Sequence, residues 1–100
     1  MGHTSPVILL GRDLLVEFYR KHPATASWVR AWVSEVEAAE WKRPVDVRQR
    51  YATASLIGEK TVVFNVKGND YRLEVEVLYQ QGIVLVKRAG THGEYDRWNR

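Results

Sequence analysis

The chain has 100 residues, 45% hydrophobic and 27% charged, with a formal net charge of +3. That size makes one domain, spanning 1–100, with a single core, and the balance excludes a disordered chain. It contains no cysteine, which excludes disulfide staples and thiolate zinc sites. No apolar run approaches the roughly 20 residues of a membrane helix. Residues 7–10 are also shorter than the about 7–15 apolar residues of a signal-peptide core, so no membrane association and a cytoplasmic location are expected. The modest positive charge permits an acidic partner such as nucleic acid without requiring one.

In chain order, the apolar run at 7–10, ended by Gly11, predicts a strand. Residues 12–22 then predict a helix, because Leu14, Leu15, Phe18 and Tyr19 form one stripe and Pro23 stops it. A second helix over 25–40 is capped by Thr25 or Ser27, with Trp28, Val29, Trp32, Val33 and Val36 at three- and four-residue spacing. Pro44 closes it, and Val47 and Tyr51 suggest one more short helix. Residues 52–60 are expected to be a loop with a turn at Gly58.

From Thr61 the hydrophobic period becomes two. Val62, Phe64 and Val66 alternate with Val63, Asn65 and Lys67. A tight turn at Gly68, Asn69 and Asp70, with Asn69 suited to positive φ, leads to a strand over 71–79. Gln80, Gln81 and Gly82 turn the chain into a third strand over 83–89. Such short connections dictate an antiparallel meander. Gly90 is expected to end the sheet, and Thr91 to cap a last helical turn carrying Glu94, Tyr95 and Asp96. The fold class is therefore α+β, with N-terminal helices packed on one face of an antiparallel sheet.

Alternation sorts the strand residues into two faces. Val62, Phe64, Val66, Leu73, Val75, Val77, Val84 and Val86 form the face that receives the helices. Asn65, Lys67, Arg72, Glu74, Glu76 and Lys87, with Ile83 and Leu85, form the other, and the segment with His92 and Tyr95 can fold toward it. On pattern alone this is a solvated sheet face of mixed charge, or a site in which cations hold a phosphate while His92 or Tyr95 moves protons. RNA suits the second reading, because its own 2′-hydroxyl can attack the adjacent phosphorus with no metal or cofactor. The protein must then accept one proton, stabilise added negative charge and supply one proton. Lys and Arg fit the second task and His the proton transfers. No HExxH-type spacing appears, so no metal is expected.

The stretch "VVFNVKGNDYRLEVEVLYQQGIVLVKRAGTHGEYD", residues 62–96, resembles the HigB toxins of the RelE-like superfamily, which show a "VFNIKGN-YRL" hairpin followed by "GTH-EYD". "FYRKHP" at 18–23 and "WVRAWVSEVEAAEWKRPVDV" at 28–47 resemble the family's helices. The resemblance implies a RelE-like fold and ribosome-associated endonuclease action on translated mRNA. It also implies neutralisation by a cognate antitoxin, a helix-turn-helix protein through which operator DNA would be bound only indirectly. It puts Lys67 at the hairpin lysine, Arg72 at the "YRL" arginine, and His92 and Tyr95 in the "THxEYD" motif. These four and Lys87 are thus the candidate catalytic residues, with Lys67, Arg72, Lys87 and Arg88 as RNA contacts. Arg72 is read as the transition-state clamp, Lys67 as a phosphate-positioning cation, and Asp96 as a group that orients His92.

Some positions depart from the family pattern. Lys87 stands where relatives commonly carry arginine, losing the bidentate fork. Arg88 replaces what is often an aromatic residue, and Glu74 and Glu76 stand where relatives are often apolar or basic. Trp98 is expected to be exposed and available to an antitoxin. Two other functions are compatible with the scaffold: a ParE-like gyrase inhibitor, and a toxin that has lost activity and only binds antitoxin.

Overall fold

The computed structural model describes residues 7–68 and 70–98; Asn69, expected at positive φ, lies outside them. The short strand β1 (Ile8–Leu10) leads through Gly11 into helix α1 (Arg12–Lys21). Gly11 has φ 89°, and a Cβ on it would sit 2.9 Å from the Val86 carbonyl oxygen. The left-handed turn and this close approach both require glycine. Leu15 and Phe18 bury the α1 stripe. Pro23 then opens a single 3₁₀ turn, Pro23–Thr25, that runs directly into α2 (Ala26–Ala38). Thr25 holds the N-cap position but does not cap with its side chain. Its buried hydroxyl instead donates to the His22 carbonyl at 2.8 Å, tying the two helices together.

The second helix is shorter than expected and ends before Trp41, and Pro44 begins rather than closes a helix. It is the first residue of α3 (Pro44–Arg50), where a missing N–H costs nothing. Asp46 in that first turn accepts the backbone N–H of Lys42 at 2.9 Å and of Arg43 at 3.1 Å. The Lys42 bond is the main reason its carboxyl is held below the ordinary range.

The sheet contains β2 (Ser55–Ile57), β3 (Thr61–Val66), β4 (Tyr71–Leu78) and β5 (Ile83–Thr91) in addition to β1, in the order β1-β5-β4-β3-β2. β1 pairs parallel to β5, with Ile8 opposite Ile83, and the other pairs are antiparallel. The sheet is thus mixed, not purely antiparallel. Two details differ from the sequence expectation. The loop at 52–60 contains β2, with Leu56 opposite Val62. Gly90 does not end β5 but pairs within it, opposite Arg72.

A third feature decides where the cations point. Glu74 lies opposite Arg88 while Val75 lies opposite Val86, so Lys87 is an extra residue in a β-bulge. Strict alternation from Val84 and Val86 would drive Arg88 into the core. The bulge shifts the phase by one residue, so Arg88 shares a row with Glu74 and Val63, and Ala89 shares one with Leu73 and Phe64.

The eight apolar strand residues expected under the helices are each no more than 2% exposed. Phe64 is their hub, with ring centroids of Tyr51, Trp32 and Trp41 at 5.1, 5.5 and 6.3 Å. Offset and edge-on pairs of this kind add to what area burial alone supplies. Glu35 of α2 accepts from Tyr51 and pairs with Arg50. The Tyr51 bond is the main reason the Glu35 carboxyl is held low, while burial chiefly pushes the Tyr51 hydroxyl up. One whole face of the sheet is consumed by this core, which leaves the other for function.

Candidate active site on the outer sheet face

The last described helix, α4 (His92–Arg97), brings the C-terminal motif onto the outer face. It is too short to persist alone and is fixed at its start. The Thr91 hydroxyl accepts the Glu94 N–H at 3.1 Å, and the Glu94 carboxylate accepts the Thr91 N–H at 2.8 Å, a reciprocal capping box. That backbone bond is the main cause of the lowered Glu94 carboxyl. The His92 N–H also donates to the Asp70 carbonyl at 2.9 Å, joining α4 to the β3–β4 hairpin.

Held this way, α4 places Tyr95 beside Arg72 of β4. The guanidinium carbon lies 5.5 Å from the Tyr95 ring centroid, and Nη1 donates to the Tyr71 carbonyl at 3.1 Å. Tyr95 meets Trp98 edge-on, with centroids 5.5 Å apart. The Arg88 guanidinium lies 4.7 Å over the Trp98 ring. Arg88 Nε donates to Glu74 Oε1 at 3.4 Å, and the Glu74 side chain is only 9% exposed. A continuous chain of contacts therefore runs from Arg72 through Tyr95, Trp98 and Arg88 to Glu74. Val63, in the same row as Glu74 and Arg88, is 2% exposed, so the middle of this face is closed to solvent.

The other candidates lie around that chain. Lys87 is on the same face, 4.0 Å from Glu76, which also lies 3.9 Å from Lys60. Lys67 is exposed in the β3–β4 turn with φ 50°. His92 is more than half exposed at the start of α4, its Nδ1 3.9 Å from Asp96. Arg72, Arg88 and Tyr95 are thus gathered into one cluster, while Lys67, Lys87 and His92 stand at its rim. Trp98, expected to be exposed, is half-buried on Arg88. Its three-residue spacing from Tyr95 was the available signal. A cavity of about 560 Å³ lined by Val7, Trp41, Tyr79 and residues 80–82 includes none of the site residues.

The family model of HigB toxin, the RelE-like toxic component of a toxin–antitoxin system, matches residues 25–98. The chain belongs to the HigB toxin family. The matched span includes all six candidate residues and leaves out β1 and α1. A comparison with curated proteins finds no match. In this HigB toxin the α+β fold, with helices on one face of a five-stranded mixed sheet, is RelE-like. Its place in a toxin–antitoxin pair implies a cognate antitoxin. Among the described residues no helix is long and apolar enough to cross a membrane.

Proposed function

We propose that this HigB toxin is an endoribonuclease that cuts mRNA on the translating ribosome, acting in the cytoplasm. The observation that carries the reading is the guanidinium pair, Arg72 and Arg88, gathered by Tyr95 and Trp98 onto the face opposite the core. In the reaction the 2′-hydroxyl oxygen attacks the adjacent phosphorus and its proton passes to a base. The bond from phosphorus to the 5′ oxygen breaks and that oxygen takes a proton, giving a 2′,3′-cyclic phosphate and a 5′-hydroxyl. Arg72 stabilises the charge gathering on the phosphoryl oxygens, since a fixed cation beside an aromatic wall needs little reorganisation. Lys67 and Lys87 position the flanking phosphates. His92, with Asp96 beside it, and Tyr95 are the proton-transfer candidates.

The same basic face suits an acidic segment of the antitoxin, which we take to be a helix-turn-helix protein that carries the pair to operator DNA. Induced without antitoxin, the wild type should arrest growth and fragment translated mRNA. Arg72→Ala should lower cleavage about 100- to 1000-fold with the fold intact, and His92→Gln about 100-fold. An Arg72→Ala variant that stays toxic, with whole mRNA and altered DNA supercoiling, would establish the gyrase-inhibitor reading instead.

One observation favours a second reading. Glu74 and Glu76 lie within 4.0 Å of Arg88 and Lys87 respectively, offsetting two of the four cations Lys67, Arg72, Lys87 and Arg88. A wild type that is harmless on induction makes this a toxin that only binds antitoxin, and Glu74→Val with Glu76→Lys is then the restoration to test.

A further inference from the structure

Arg88 differs from the rim cations in how it is held. Lys67 and Lys87 are exposed side chains on flexible stems. Arg88 is half-buried and braced on two sides: its flat face lies 4.7 Å from the Trp98 ring, and its Nε edge meets Glu74 at 3.4 Å. A cation over an indole face and a guanidinium–carboxylate contact are each modest at an exposed surface. At a carboxylate 9% exposed they are stronger and directional. Together they fix both the plane and the rotation of the guanidinium. Trp98 is in turn set by its edge-on contact with Tyr95, whose own ring carries Arg72 at 5.5 Å. The two arginines therefore stand at either end of an aromatic pair of fixed geometry. The β-bulge at Lys87 is what turns Arg88 to this side, although it costs a regular ladder step. Charge alone does not account for so many constraints on one side chain, because an exposed lysine would supply the same charge.

We infer that Glu74 and Trp98 are positioning residues that hold Arg88 as a second phosphate-binding guanidinium, set at a fixed separation from Arg72 by the Tyr95–Trp98 pair. The inference rests on the ribonuclease reading for its consequence, but the bracing itself can be measured without activity. On this view Glu74 does not quench the site. It orients the arginine it neutralises, and two braced guanidiniums can grip adjacent oxygens of one phosphate or two successive phosphates of an RNA strand.

The experiment combines two readouts on the whole chain. In the first, ¹⁵N NMR of the arginine side chains follows exchange of the Arg88 Nε–H with water. It should be slow in the wild type and at least about tenfold faster in Trp98→Leu and in Glu74→Gln, because each variant removes one brace. Trp98→Phe, which keeps a ring face, should stay near wild type. In the second, cleavage of ribosome-bound mRNA is measured with kcat and KM separated. Trp98→Leu should lose about 10- to 100-fold in kcat with KM changed by less than about threefold, as expected when orientation rather than attraction is lost. Trp98→Phe should recover most of that loss, and Arg88→Ala should lose at least as much as Trp98→Leu.

Wild-type cleavage by Arg88→Ala overturns the inference and leaves Arg72-dependent cleavage standing. Wild-type kcat in Trp98→Leu, or an Arg88 Nε–H that exchanges fast in the wild type, overturns the positioning role. A wild type that leaves mRNA whole overturns the ribonuclease reading and the phosphate role with it, and the exchange data then decide the bracing alone.

Discussion

Lys67 occupies a backbone conformation that lysine rarely adopts. Its φ of 50° is left-handed, in a turn where the next residue, Gly68, has φ 70°. A side chain in that region costs about 1–2 kcal/mol relative to the right-handed one, and its exposure shows that core packing does not offset the cost. A non-glycine residue kept in strained geometry at the edge of a cationic face suggests that the ammonium is what matters. Lys67→Gly separates the two effects. Relief of the strain and glycine's greater unfolded-state freedom, worth about 0.4–1 kcal/mol, oppose each other. The denaturation midpoint should therefore move by no more than about 1 kcal/mol equivalent in either direction. Cleavage should fall by about tenfold, the scale of one exposed phosphate contact. Unchanged cleavage would reduce Lys67 to a turn residue and remove it from the site.

At the scale of elements, the junction between β5 and α4 carries the site. A Cβ on Gly90 would lie 2.5 Å from Glu94 Oε1 and 3.3 Å from its Cβ. Gly90→Ala must therefore push the Glu94 carboxylate off the Thr91 N–H and open the capping box, a loss of about 1 kcal/mol. The core does not include α4, so the fold should survive while Tyr95 releases Arg72 and toxicity drops. Amide exchange at Glu94 and Thr91 is the direct measurement, and protection equal to wild type would sink the account. The same cap sets a pH dependence. The Glu94 carboxyl is lowered in the folded chain, first by the Thr91 N–H, so its ionised form is the one that stabilises. That contribution is complete above the unfolded-state value and is lost as pH falls through the lowered folded one. Acid below the ordinary carboxylate range should therefore loosen the start of α4. The strands β3, β4 and β5 were legible because alternation over six residues or more leaves one reading of their faces. β2 was not, since three residues carry no period. Nor was the bulge, which places Arg88 on the outer face through a register step that strict alternation does not contain. For the same reason Arg72 could be assigned to the outer face from pattern, but the bracing of Arg88 by Trp98 and Glu74 could not.

For the whole molecule, the division of the sheet into a core face and a charged face sets how an antitoxin can neutralise it. Arg72, Lys87 and Arg88 share the outer face with Glu74 and Glu76, and Lys67 stands in the β3–β4 turn, leaving the group net cationic within a chain of charge +3. An acidic antitoxin segment lying across that face would cover the cluster from Arg72 to Arg88 and compete with RNA for the same groups. A second surface competes with this prediction. Ile8 and Leu10, 56% and 47% exposed, lie on the edge strand β1 beside β5, opposite Ile83 and Leu85. An exposed apolar edge is a common place for another chain to add. Salt separates the two, because screening shortens from about 10 Å at 0.1 M to about 3 Å at 1 M ionic strength. If the cationic face is the contact, antitoxin affinity should weaken by about tenfold or more across that range, and Arg88→Ala should flatten the slope. If β1 is the contact, affinity should hold or rise with salt, and Leu10→Glu should abolish binding while toxicity persists. The second pattern would mean that the antitoxin restrains the toxin without occupying its site, and the bound pair should then still protect the Arg88 Nε–H but leave Arg72 open to an RNA strand.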